Sequence, residues 1–412
     1  MQVRTTRTGT FSLRAPSERD PSVRVDHLWL RDFRNYAAAE LVPAPTGLTV
    51  IEGGNGQGKT NLLEALGYIA TARSFRGAPR EALIRRGAER AVLRAEVVRE
   101  GRAALVEAEL NIRGRERLQV NRRPLRRFSE LAGVLKVSVF SPDDLSLVKG
   151  GPAGRRHYLD ETLVSLRPSI ERLRGDAEHI LRQRNVLLRQ AGGRSTASIL
   201  ATLDVWDSQL ARVGDQLVEH RRSLVSRLAP LVAASYARLA GESEHPALLY
   251  RASWTGELAE ALAASRGEDL RRGITTVGPQ RDELELTLTR GGGRENGGRE
   301  AGGGERVPLP ARTHASQGEQ RSLALALRLA AHALAIEDNG DAPVLLLDDV
   351  FSELDDARSA ELMRLLPDGQ AVLTTVGALP PGAQPAAVMR VEAASVLPEP
   401  RQARQISVAR SC

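Results

Sequence analysis

The stretch Gly53-Gly-Asn-Gly-Gln-Gly-Lys-Thr60 limits what this chain can fold into more than any other. It fits the spacing G-x-x-x-x-G-K-[S/T], with the apolar run LTVIE before it and NLLEALGYIA after it. Such a loop needs a strand to deliver it and a helix to leave it, because its backbone N–H groups and the helix N-terminus together form an anion cradle. Gly53, Gly54, Asn55, Gly56, Gln57, Gly58, Lys59, Thr60 and the following Asn61 are therefore expected to contact a nucleoside triphosphate. Lys59 neutralises the β- and γ-phosphates and the Thr60 hydroxyl ligates Mg2+. Of 58 basic residues only Lys59, Lys136 and Lys149 are lysines, so arginine serves wherever any cation will do. A lysine kept in the loop marks a place that needs a compact point charge.

Two further segments complete a nucleotide site. PVLLLDDVF is an apolar strand ending in acids, which brings Asp348 to its C-terminal end as a Mg2+ ligand and Asp349 beside it as a water-orienting base. A strand ending in two acids is also what an ordinary capped edge looks like; the phosphate loop favours the catalytic reading. In HASQGEQRSLALAL, Ser316 is a natural N-cap, followed by Gln317, Gly318, Glu319 and Gln320 in the first turn. This segment resembles the signature sequence of ABC-type ATPases, in which the serine and the helix N-terminus contact the γ-phosphate held by the opposite subunit.

Asp348 stands 289 positions after Lys59, too many for a transporter nucleotide-binding domain and too few for a long antiparallel coiled coil. Short apolar bursts with turn residues fill about 26–125 and read as strands. From about 151 to 239, apolar residues at spacings of three and four mark long helices, with Trp206 and Tyr236 as core candidates. ELELTLTR alternates strictly and precedes a Gly-rich run. The later strand–helix alternation predicts an α/β unit with a largely parallel sheet. Aromatic residues make up 3% of the chain, which argues against stacking platforms for single-stranded nucleic acid. A net charge of +7 favours polyanionic partners, nucleic acid or an acidic membrane surface, without choosing between them. One cysteine, Cys412, excludes a disulfide framework and suits a reducing cytoplasm, and neither a signal peptide nor an 18-residue apolar stretch is present.

The strings LRDFRNY, GGNGQGKTNLLEALGYIATARSFR, VFSPDDLSLVKGGPAGRRHYLD, GPQRDELEL, ASQGEQRSLALALRLA and VLLLDDVFSELD resemble, in order, the motifs of the RecF family of bacterial recombination mediators. The resemblance implies an α/β fold: an ABC-type ATPase head with a P-loop and a mixed sheet, plus an inserted helical second lobe. The expected organisation is a disordered basic extension over 1–24 and the head over 25–145 and 274–396, with a flexible Gly-rich loop at 291–304. Lobe II then occupies 146–273 and a tail 397–412. The resemblance also implies ATP-dependent homodimerisation, binding at junctions of double- and single-stranded DNA, and RecA loading with RecR and RecO, by a weak DNA-dependent ATPase acting as a switch. It places Arg34 and Asn35 near the nucleotide base, Ser352 to Asp355 at the dimer-crossing loop, and Ser141 to Asp144 between the lobes. Gln280 replaces the family's usual histidine, whereas Thr374 and Thr375 after the last strand, where many ABC ATPases carry a histidine, and Asp349, shorter than the general glutamate, are RecF-like; the absent histidine and the shorter Asp349 imply slow turnover. Arg73, Arg76, Arg122, Arg123, Arg155 and Arg156 are candidate DNA phosphate contacts. A transport ATPase subunit and a structural DNA clamp with incidental hydrolysis are the alternatives.

Overall fold

The computed structural model describes residues 23–125, 128–241, 243–290, 307–366, 369–377, 379–380 and 382–398. The Gly-rich loop at 291–304, the basic extension up to residue 22 and the tail from residue 399 lie outside them. Strands β1 (Val23–Phe33), β2 (Tyr36–Leu41) and β3 (Gly47–Glu52) open the described chain. Helix α1 (Lys59–Thr71) and the single turn α2 (Arg80–Leu83) lead to β4 (Arg90–Arg99), β5 (Arg102–Asn111), β6 (Arg117–Val120), β7 (Arg123–Pro124) and β8 (Val137–Phe140). Helices α3 (Leu145–Lys149), α4 (Pro152–Leu166), α5 (Ile170–Ala191) and α6 (Ala197–Ala240) follow, then β9 (Glu244–Arg251) and α7 (Leu258–Arg272). The chain continues through β10 (Glu283–Arg290), β11 (Leu309–Pro310), α8 (Ala311–His314), α9 (Gln317–Asn339) and β12 (Val344–Asp348). It closes with α10 (Asp356–Leu365), β13 (Gln370–Thr375), β14 (Pro385–Glu392) and β15 (Ser395–Pro398).

The first sheet is antiparallel, in the order β2-β1-β4-β5-β6-β7. In β1 the buried residues shift from Val23 and Val25 to Leu28 and Leu30, a change of parity absorbed by a bulge between Val25 and His27. The β6–β7 hairpin turns on Asn121 and Arg122, with φ of 51° and 65°, the left-handed pair of a two-residue turn.

The second sheet runs β15-β14-β3-β13-β12-β8, parallel except for β15 at its edge. Strands β12 and β13 are buried along their whole length, as parallel strands covered on both faces must be. Leu62, Leu66 and Ile69 of α1 pack on one face with Leu346 and Val372. Leu325 and Leu329 of α9 and Leu362 of α10 pack on the other with Leu345, Leu347 and Leu373. Because β13 separates β3 from β12, the phosphate loop and the acidic strand end open on the same edge of the sheet, one strand apart.

The range expected to be helical, 146–273, also contains β9, which pairs with β10 from the other side of the expected boundary, Leu248 opposite Leu286. Leu284, Leu286 and Leu288 of β10 bury one face of the resulting three-stranded sheet against Tyr158, Leu228 and Leu327. Helix α6 runs 44 residues and passes through Pro230. Proline there removes one helical hydrogen bond, and the flanking Leu228, Val232 and Tyr236 keep the segment in the core. Tyr236 is buried, and Trp206 packs partly buried against the cluster of Leu210 and Leu262. Arg184, fully buried in α5, is held by Asp207 (2.6 Å), Asp269 (2.7 Å) and the Thr275 hydroxyl (2.9 Å).

Candidate nucleotide site

The loop leaving β3 has the backbone that its glycines permit. Gly53 and Gly58 have φ of 156° and 118°; a Cβ on Gly53 would lie 2.4 Å from the Val391 carbonyl oxygen, and one on Gly58 2.7 Å from Asn35 Nδ2. Both positions thus exclude a side chain by contact as well as by conformation. Gln57 is clamped from two sides: Asn35 Nδ2 donates to its carbonyl (3.0 Å), and its own Oε1 accepts from Ala393 N at the β14–β15 turn (2.6 Å). Asn61 Nδ2 donates to Asn35 Oδ1 (2.7 Å), which ties the start of α1 to the β1–β2 turn.

Lys59 is 7% exposed, and its Nζ donates to the carbonyls of Gly53 (2.7 Å) and Gly54 (2.8 Å). Burial lowers its pKa, against the opposing pull of Asp349 and Asp348. A buried ammonium held by two neutral carbonyls is short of negative charge, which suits it to a phosphate. Thr60 Oγ1 donates to Asp348 Oδ1 (2.8 Å), and Thr374 Oγ1 donates to the same oxygen (2.7 Å). Burial raises the Asp348 carboxyl pKa, and these hydroxyls and the charge of Arg76 counter it. A hydroxyl and a carboxylate in contact are hard oxygen donors of the type Mg2+ takes. Asp349 sits in the left-handed region, φ 47°, its N–H donating to Thr374 Oγ1 (3.0 Å) and its carbonyl accepting from Ser352 Oγ (2.9 Å). Asp349 lines a pocket with Ser141, Asp144, Arg321 and Glu353, and its charge reaches Lys59.

The signature segment forms a capping box: the N–H of Glu319 donates to Ser316 Oγ (3.3 Å) and the Glu319 carboxylate accepts from Ser316 N. Ser316 and Gln317 are exposed. A Cβ on Gly318 would lie 3.1 Å from Arg358, whose guanidinium is held by Asp355 (2.9 Å). Arg321 donates to the Glu353 carbonyl (3.0 Å), so the signature helix and the loop after the acidic strand are joined within one chain. Asp144 accepts from Arg328 of α9 (2.6 Å), anchoring the 141–144 segment to the same helix.

The family described as RecF/RecN/SMC N terminal domain matches residues 24–375. The DNA replication and repair protein RecF of Streptomyces avermitilis is 43% identical over 369 residues, covering 86% of this chain and 93% of that protein. That of Frankia alni is 43% identical over 371 residues, with the same coverage. The chain belongs to the RecF family. A solved structure of the recombination mediator protein RecF–ATP in the RecFOR pathway is 26% identical with a TM-score of 0.79, covering 92% of this chain and all of that one (100%). The Smc head domain of Pyrococcus furiosus shares the fold, with a TM-score of 0.52 at 16% identity over 91% of this chain and 95% of that one.

Within the RecF fold three expected site residues have other duties. Arg34 commits its guanidinium to the protein: Nε and Nη2 each donate to Glu64 (2.7 Å), and Nη1 to the Ala82 carbonyl (3.0 Å). Gln320 is buried and donates to the carbonyls of Ala311 and Arg312 (both 3.1 Å), seating α8 on α9. Arg155, a candidate DNA contact, is also buried, forking onto Glu283 (2.8 and 2.9 Å) and donating to the carbonyls of Leu147 and Gly150, so its donors are spent within the protein. Arg156 lends Nη1 to the Asp282 carbonyl (2.7 Å) and Arg73 pairs with Glu171 (3.1 Å), whereas Arg76, Arg122 and Arg123 are exposed. Gln280 donates to the Val277 carbonyl (2.9 Å).

The residue missed in the sequence is Glu64. It is 0% exposed, accepts both bonds from Arg34, and takes a third from Ser74 Oγ (2.5 Å). An acid flanked by Leu62, Leu63 and Leu66 on an apolar helix was its signal. No helix among the described residues is long and apolar enough to cross a membrane.

Proposed function

We propose that this chain is an ATP-driven switch on DNA, closing as a homodimer over two nucleotides at junctions of double- and single-stranded DNA and assisting RecA loading with RecR and RecO in the cytoplasm. The observation that carries this reading is the division of the site. Lys59, Thr60, Asp348 and Thr374 gather at one sheet edge, while the side-chain hydrogen bonds of Ser316 stay within its own helix turn, at an exposed N-terminus. A second copy supplies what one copy lacks. Lys59 Nζ exchanges its two carbonyls for phosphate oxygens, Thr60 Oγ1 and Asp348 hold Mg2+, and the Asp349 carboxylate orients the attacking water and takes its proton. ATP supplies the phosphoanhydride whose cleavage ends the closed state. DNA is held through phosphates, with Arg73, Arg76, Arg122, Arg123 and Arg156 as candidates, so affinity falls steeply with salt.

Light scattering with and without ATP tests the composite site. The wild type is expected to double in mass, Lys59→Ala to bind no nucleotide and stay single, and Ser316→Ala to bind ATP yet stay single. A Ser316→Ala protein that dimerises with ATP as the wild type does rules out the composite site.

A further inference from the structure

Tyr36 is 0% exposed, and its Oη has no hydrogen-bond partner among the described residues. The hydroxyl does not face an apolar hole. A Cβ built on Gly58 would lie 2.8 Å from Tyr36 Oη and 2.7 Å from Asn35 Nδ2, so the oxygen abuts the phosphate loop at its last glycine, next to the Asn35 amide. Asn35 has already spent both ends of that amide, Nδ2 on the Gln57 carbonyl (3.0 Å) and Oδ1 on Asn61 (2.7 Å). Polar groups thus converge on the Gln57–Gly58 peptide, and the buried hydroxyl alone is left out. Burial also drives the Tyr36 phenol pKa upward, which keeps it a donor. Phenylalanine would fill the same volume without an unpaired polar atom, so tyrosine here carries a cost in this arrangement of the loop.

This arrangement is the one in which Lys59 Nζ is folded onto the carbonyls of Gly53 and Gly54. A lysine turned to an anion would take the donor from those carbonyls and free the peptides of the loop to reorient. We propose that Tyr36 is a positioning residue of the phosphate loop, its hydroxyl unpartnered in the free protein and hydrogen-bonded to the Gln57–Gly58 peptide once the loop holds a polyphosphate. The inference rests on the nucleotide reading above. It makes the hydroxyl a device that favours the loaded loop over the empty one, because the bond forms in only one of the two states.

The test is Tyr36→Phe in the full chain, with two ligands, ATP–Mg2+ and inorganic tripolyphosphate–Mg2+, titrated calorimetrically, and urea unfolding of the free protein. One hydrogen bond gained only on binding corresponds to roughly a 2- to 12-fold weaker affinity in the variant, alike for both ligands because the hydroxyl abuts the phosphate loop. The free variant is expected to unfold at the same or a higher urea concentration than wild type. Unchanged affinity, a loss confined to ATP, or a variant that is less stable or unfolded without ligand overturns the proposal, the last because it would give the hydroxyl a partner in the free state. Wild-type protein that binds neither ligand defeats the nucleotide reading itself; wild type that binds while Lys59→Ala does not leaves that reading standing whatever Tyr36→Phe does.

Discussion

Breaking the Arg34–Glu64 pair tests whether a buried carboxylate organises both flanks of the phosphate loop. Glu64 is wholly buried and Arg34 is 18% exposed at its side chain, with two bonds of 2.7 Å between them and a third to Glu64 from Ser74. Arg34→Ala leaves a buried carboxylate with one hydroxyl donor and no counter-charge, a loss of about 3–5 kcal/mol in comparable buried pairs. Arg34→Lys keeps the charge but not the fork, and is expected to cost about 1.5–3 kcal/mol, the worth of one charged hydrogen bond. Replacing both partners, Arg34→Leu with Glu64→Leu, removes the unpaired charge and is expected to recover most of the loss. Urea unfolding followed by circular dichroism reads these values, and the coupling from the double-mutant cycle isolates the pair. ATP affinity should fall with Arg34→Ala as well, since Arg34 precedes the Asn35 that clamps Gln57 and Ser74 opens the loop carrying Arg76. An Arg34→Ala cost under about 1 kcal/mol, or costs that simply add in the cycle, would falsify the buried-pair account.

Gly53→Ala drives a Cβ to 2.4 Å from the Val391 carbonyl, so it should lower stability by about 1–3 kcal/mol, whereas Gly56→Ala, at φ 76° with nothing within 4 Å, should cost only the left-handed strain of about 1–2 kcal/mol. Thermal melts that rank Gly56→Ala as the worse substitution contradict the contact. His332 is buried with its pKa lowered to about 4, below its value of 6.5 in the unfolded chain, so its stabilising contribution is full above pH 6.5 and is lost as pH falls toward 4. Between pH 7.5 and 4.5 this is about 2–3 kcal/mol, and urea midpoints at the two pH values should show His332→Asn escaping that share of the acid loss. Arg155→Gln should destabilise by about 3 kcal/mol through the stranded Glu283, leaving the DNA affinity of the folded fraction unchanged. By contrast, Arg122→Ala with Arg123→Ala should weaken DNA binding and flatten its salt dependence, read by fluorescence anisotropy over a salt series.

The nucleotide site was legible in the sequence wherever its chemistry is local. A glycine's freedom at Gly58, the spacing from Gly53 to Thr60, an apolar run ending in Asp348 and a serine ahead of Glu319 each determine a backbone shape within a few residues. Those shapes recur in β3, α1, β12 and the N-terminus of α9. Tertiary structure decided who pairs with whom. Arg34 finds Glu64 thirty positions away, Arg155 finds Glu283 across 128, and Gln57 meets Ala393 across 336. Residue type announces that a buried charge needs a partner, and says nothing of which partner the packing brings within reach. Arg155 and Arg122 look alike as letters, yet one is sealed under the three-stranded sheet's Glu283 and the other stands at an exposed hairpin turn. Strand β9 is the same case in the backbone: its short run of eight residues becomes a strand of the fold because β10 offers it an open edge with a buried face behind it.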